Sequence, residues 1–197
     1  LSPIPLKEED GWEETNSLKE LMLCRRPNWE ILFRLYHDQK LNPMSFLRSE
    51  EFLNILTECC IKDYPYTPFA DAFHTMRSML LPVLYLMGSE VPKADVYHAI
   101  CTGYGGLLAC LGGHVYKKKV LLTEHGIYTR EREEEIIRAK WVQPAFKKQW
   151  ISFFYMLSDI IYTRAFLVSA LFTNAMHAQI QMGCDKEKCR VIENGIN

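Results

Sequence analysis

The sequence predicts an α/β fold, a parallel β-sheet wrapped by crossover helices, with a helical layer added ahead of it. Three observations carry this. Apolar residues recur at helical spacing through residues 16–88. After Pro92 short strand-like runs alternate with helical stretches, the rhythm of a parallel sheet joined by right-handed crossovers. With 197 residues, 48% of them hydrophobic, the chain can bury a core, and no repeat or low-complexity tract divides it.

The elements follow in order. Leu1–Gly11, with Pro3 and Pro5 among charged residues, reads as an extended lead-in or linker. Leu18, Leu21 and Met22, then Ile31, Leu32 and Leu35, then Phe52, Leu53, Leu56 and Cys60 mark successive helices, with Asn28 and Ser49 as caps. Phe69, Phe73, Met76 and Leu80 share one face of a further helix, which Pro82 is expected to kink or break. The strand-like runs are Ala94–Ile100, Val120–Glu124, Ala165–Val168 and Arg190–Ile192. Between them lie helical stretches over Gly105–Leu111, over Arg130–Ala139 continuing past Pro144 through Phe146–Tyr162, and over Phe172–Met182. The organisation expected is a helical region, residues 1–91, followed by an α/β region, residues 92–197.

Composition excludes several classes. Lys and Arg number 23 against 24 Asp and Glu, a formal net charge of -1, so nothing draws the molecule to nucleic acid or anionic lipid. The apolar run at Met79–Met87 is too short for a bilayer, and Ile151–Phe172 is interrupted by Asp159 and Arg164. Seven cysteines, an odd number without paired short spacings, suit reduced and mostly buried thiols in a cytoplasmic protein. Cys184 and Cys189 lack the flanking His or second Cys pair of a zinc site. The chain opens on Leu1 without a signal-peptide pattern, and Arg190–Asn197 reads as a strand running into a turn. A segment of a longer product is expected.

In an open parallel sheet, ligands bind beyond the carboxyl ends of the strands, which directs attention to two segments. In the first, His98–Gly106, a strand end meets a small-residue turn, Thr102, Gly103 and Tyr104, that opens a helix. Glycines let a ligand approach the backbone, and a helix N-terminus offers free N–H groups; a tight turn relieving crowding is the competing reading. The second is Thr123–Glu133. Glu124 and His125 stand at a strand end, followed by Gly126, Tyr128, a cap candidate in Thr129, and the charged run Arg130, Glu131, Arg132, Glu133. An imidazole that titrates near neutrality can orient or protonate a sugar hydroxyl, and carboxylates can accept from hydroxyls. The charge run by itself reads as a solvated helix face, and His74 and His98 as structural histidines.

These residues carry a family resemblance. The order T-E-H-G-I-Y-T-R-E-R-E over Thr123–Glu133 closely resembles a segment of PelF-type glycosyltransferases, which polymerise an exopolysaccharide. Pro92–Ala99 with Thr102-Gly103-Tyr104, the aromatic helix after Trp141, and Val191–Ile196 are similar as well. The last of these resembles the interdomain signature of glycosyltransferase family 4, with Glu193 and Asn197 in place of its Pro and Asp. The resemblance implies part of a GT-B enzyme with two Rossmann-like domains. This chain would be most of the N-terminal, acceptor-side domain, and the donor domain would lie beyond Asn197, so the chain alone should not turn over. The implied reaction is retaining transfer of a hexose from a UDP-sugar to a saccharide acceptor, without a cofactor and without an obligatory metal. His125 would orient the donor hydroxyl or the acceptor, with Glu124, Gly126 and Tyr128 on the same wall and Thr102, Gly103 and Tyr104 opposite. Arg130 and Glu131 would assist, and Asn194 and Gly195 would lie at the interdomain crossover.

Two other functions compete. A non-catalytic module docking on an inner-membrane polysaccharide export complex would also use a helical layer and a sheet. A hydrolase built on Glu124 and His125 ranks last, because no Ser or Cys nucleophile elbow accompanies them.

Overall fold

A computed structural model describes residues 8–195. It forms two compact units. One comprises the described residues up to Glu90 with Trp141–Trp150, and the other Val91–Lys140 with the described residues from Ile151 onward.

The helical unit contains α1 (Glu8–Met22), α2 (Trp29–Phe33) running into a π-type turn at Arg34–Asp38, α3 (Pro43–Leu47), α4 (Glu50–Asp63) and α5 (Phe69–Met87). The start signals read from the sequence operate. Asn28 accepts hydrogen bonds from the Glu30 and Ile31 N–H groups at 3.1 and 3.4 Å, and Ser49 Oγ accepts from the Phe52 N–H at 3.1 Å. Asn42 caps α3 in the same way, ahead of Pro43 at the first helical position. The core is aromatic and aliphatic, with Phe33, Tyr36, Phe46, Phe52, Leu56 and Met76 fully buried. Phe52 stands edge-on to both Phe46 and Phe73, with ring centroids 5.6 and 5.8 Å apart. Residues 141–150 join this unit through Phe146, whose ring lies 4.9 Å from that of Tyr64, and through Gln149 Nε2, which donates to the Met22 carbonyl at 3.1 Å.

One expectation for this unit is corrected and another is narrowed. Glu8–Gly11 lies in α1 and is helical; the rest of the expected lead-in, residues 1–7, is outside the described residues. Pro82 sits inside α5 without ending it. A mid-helix proline costs about 3 kcal/mol. Met79, Leu80, Val83, Leu84 and Met87 are all buried around it, each worth roughly 1.5–3 kcal/mol, so burial holds the helix together through the proline.

The second unit is an α/β layer of β1 (Val96–Ala99), α6 (Gly103–Tyr116), β2 (Lys119–Glu124), α7 (Tyr128–Arg138), α8 (Lys147–Arg164, from Ile151 onward in this unit), β3 (Leu167–Ala170), α9 (Thr173–Gln181) and β4 (Cys189–Val191). The four strands are parallel in the order β1-β2-β3-β4, with Ala99 opposite Leu122, Glu124 opposite Ala170, and Ala170 opposite Val191. This is the Rossmann-like sheet expected. The predicted continuation of α7 into α8 does not occur. Ala139 leaves helical geometry, and Gln143 is extended ahead of a short 3₁₀ turn at Pro144–Phe146, because a proline disfavours helix in the residue before it.

Strand alternation assigns the faces. Tyr97, Ala99, Val120, Leu122 and Glu124 point to one face, where α6, α8 and α9 meet them. Right-handed crossovers that advance one strand at a time place their helices on a common face. Side chains flanking the other face remain exposed, among them Val96 at 47% and Ile100 at 70%. Among the described residues no helix is long and apolar enough to cross a membrane.

Candidate functional site

The carboxyl ends of β1 and β2 lie side by side on one rim, so the turn at Thr102 and the turn at His125 leave neighbouring strands in the same direction. What each residue does there differs sharply. Glu124 closes β2 and points inward at 1% exposure. Its Oε2 accepts from Tyr162 Oη of α8 at 2.7 Å and from Gln179 Nε2 of α9 at 3.0 Å, while Oε1 is buried without a hydrogen-bond partner. Burial pushes its pKa up against the pull of Tyr162, of Gln179 and of the nearby Tyr128 N–H, and the Glu131 carboxylate adds to the rise. His125, the next residue, is exposed. One chain position thus separates a carboxylate held under the sheet end from an imidazole held in solvent.

The two turns interlock. Gly103 adopts φ +71°, which favours glycine, and the Tyr128 ring lies against it: a Cβ there would come within 2.6 Å of Tyr128 Cε1. Both requirements fall on the same residue, so the position needs glycine twice over. Tyr128 in turn stands edge-on to Phe154 at 6.1 Å, and the Arg132 guanidinium lies 5.4 Å from its ring centroid. Below them, the buried Ser158 hydroxyl of α8 bonds to Thr102 Oγ1 and to Thr129 Oγ1, both at 2.8 Å. Thr129 was expected to cap α7, but Ile127 occupies that position, and the Thr129 hydroxyl goes to Ser158.

The remaining candidates surround this centre. Tyr104 is half-buried beside Phe153, and burial pushes its phenol up to about 12. Gly126 is exposed, and the Glu131 carboxylate folds back against it. Arg130 is exposed on α7 and reaches Gln181 of α9 at 3.4 Å. Asn194 and Gly195 follow β4 and are exposed; Ile196 and Asn197, which complete that motif, lie outside the described residues. The structure therefore gathers Thr102, Gly103, Glu124 and Tyr128 into one packed cluster, with His125, Gly126 and Glu131 on its solvent side.

Sequence reasoning missed the residues that bind this cluster together. Ser158, Tyr162 and Gln179 reach it from 56, 38 and 55 positions away. Only Ser158 left a trace, as a polar interruption in the buried stripe of α8. A second polar row crosses the sheet, where His98 Nε2 lies 2.9 Å from Thr123 Oγ1 and Thr123 Oγ1 lies 2.7 Å from Ser169 Oγ. Among the described residues no group of three or more His, Cys, Asp or Glu side chains is placed to hold a metal ion.

Fold and rim define an α/β module that presents an exposed histidine beyond the end of a parallel strand. Over residues 7–187 the chain matches the family described as "Domain of unknown function (DUF3492)", and it belongs to that family. No curated protein and no solved structure matches it.

Proposed function

We propose that this chain is the acceptor-side part of a retaining, PelF-type glycosyltransferase that transfers a hexose from a UDP-sugar to a growing exopolysaccharide. The observation that carries the reading is His125, exposed at the carboxyl end of β2 on the rim it shares with the Gly103 turn. The family's domain is also one found in glycosyltransferase-like proteins. In this reading His125 orients a sugar hydroxyl or moves its proton. Glu124 fixes the end of β2 beside it by bonding α8 and α9 to that strand. Tyr128 and Tyr104 supply apolar surface, and Arg130 and Glu131 supply charge at the edge. The donor nucleotide belongs to a further domain of the parent enzyme.

The test is His125→Ala in the full-length parent protein. Transfer from a UDP-sugar is expected to fall by roughly 10²–10⁴, the usual worth of a positioned acid or base, with the melting temperature unchanged. Full activity in the variant would remove His125 from the reaction. A second reading, a docking module for a membrane-bound polysaccharide export complex, draws support from the exposed apolar side chains Val96 and Ile100. Co-purification with an inner-membrane partner, together with no sugar transfer by the parent, would favour it.

A further inference from the structure

Cys184 and Cys189 bracket the short connection from α9 to β4, and their sulfur atoms lie 3.4 Å apart in a buried position. The backbone around them is fixed on every side. The Cys184 N–H donates to the Gln179 carbonyl at 3.0 Å, the Lys188 N–H to the Asp185 carbonyl at 3.0 Å, and the Glu187 N–H to the Asp185 carboxylate at 2.9 Å. Cys189 is the first residue of β4 and pairs with Val168 of β3. Both thiols are directed at a single acceptor, the Asp185 carbonyl, at 3.8 and 3.4 Å. The two sulfurs are thus held as neighbours by hydrogen-bonded backbone.

We propose that Cys184 and Cys189 form a reversible intrachain disulfide that locks the turn between α9 and β4. With a peroxide as oxidant, one thiol loses its proton and the thiolate attacks a peroxide oxygen. The O–O bond breaks, leaving a sulfenic acid and, with that proton, water. The second sulfur then displaces the sulfenic oxygen, which leaves with the second thiol proton as another water. Two electrons pass from the sulfurs to the peroxide, and a small dithiol returns them. Little in the fold resists this step. The Asp185 carbonyl loses two weak S–H donors but keeps the Lys188 N–H, so no buried acceptor is left unpaired. Burial pushes the Cys184 thiol up, which slows attack by that sulfur.

The location gives the bond a reach beyond the turn. Tyr162, which hydrogen-bonds Glu124 at the end of β2, is a neighbour of both cysteines.

The experiment treats the folded protein with hydrogen peroxide, denatures it, alkylates free thiols and maps tryptic peptides. Cleavage at Lys186 and Lys188 separates the two cysteines, so the bond appears as one joined pair of peptides. Loss of alkylation at both Cys184 and Cys189, the joined pair, and full recovery after dithiothreitol are expected. Cys189→Ser and Cys184→Ser should each abolish the joined pair. The proposal is overturned if both residues alkylate fully after oxidation, if either links to another cysteine, or if Cys184 is converted to sulfinic acid without a link.

Discussion

The helical unit and the sheet unit bury their side chains in different ways. Among the described residues, the buried polar side chains of the helical unit are Glu14 and Ser17, whereas the sheet unit buries Thr102, Glu124, Thr129, Ser158, Ser169 and Gln179. A buried polar group costs stability unless it is bonded, so an apolar core is the simpler way to hold a domain together. The sheet unit departs from that solution at the carboxyl ends of its strands, where Glu124 keeps an unpartnered oxygen. The helical unit also holds buried unpartnered polar atoms, at Glu14, Tyr36 and His37, so the contrast between the units lies in how many polar side chains each buries.

Substitutions in each unit sharpen this contrast. The largest effect is expected from Phe52→Ala, which empties the centre of the ring cluster formed with Phe46 and Phe73. It should cost about 3–5 kcal/mol in urea unfolding. If the proposed transfer holds, its rate per folded molecule should stay constant in the parent protein, and a lost rate at unchanged stability would break the contrast. Ser158→Ala comes next. It removes both buried bonds to Thr102 and Thr129 and should cost about 1–3 kcal/mol, measured the same way. A loss below a few tenths of a kcal/mol would mean that the hydroxyl chain contributes little.

Glu124→Gln is the smallest change and reads through pH. Burial raises the folded-state pKa of Glu124 above its unfolded value, so the folded chain binds the proton more tightly. That contribution is complete below the unfolded carboxylate value and is lost as pH rises through the raised one. Melting temperature plotted against pH should therefore decline for the wild type across this window, relative to the glutamine variant, which cannot ionise. Parallel curves would show that Glu124 titrates as an ordinary carboxylate.

Much of the architecture was legible in the sequence because it is written in short-range patterns. Asn28 and Ser49 cap helices within three residues of themselves, and the strand ends at Ala99 and Glu124 follow from local alternation and flanking glycines. For Pro82 the local rule allowed a kink or a break, and the tertiary packing that keeps α5 from breaking there is not local. The candidate site was legible only as two turns. That Glu124 faces inward while His125 faces solvent depends on Tyr162 and Gln179, whose approach no local pattern encodes. Thr129 looked like a helix cap for the same reason, until a distant serine claimed its hydroxyl.

The seating of the Tyr128 ring on Gly103 has a mechanical consequence. The first turn cannot move toward the second without pushing the ring out of its seat, so the two turns exclude one another sterically.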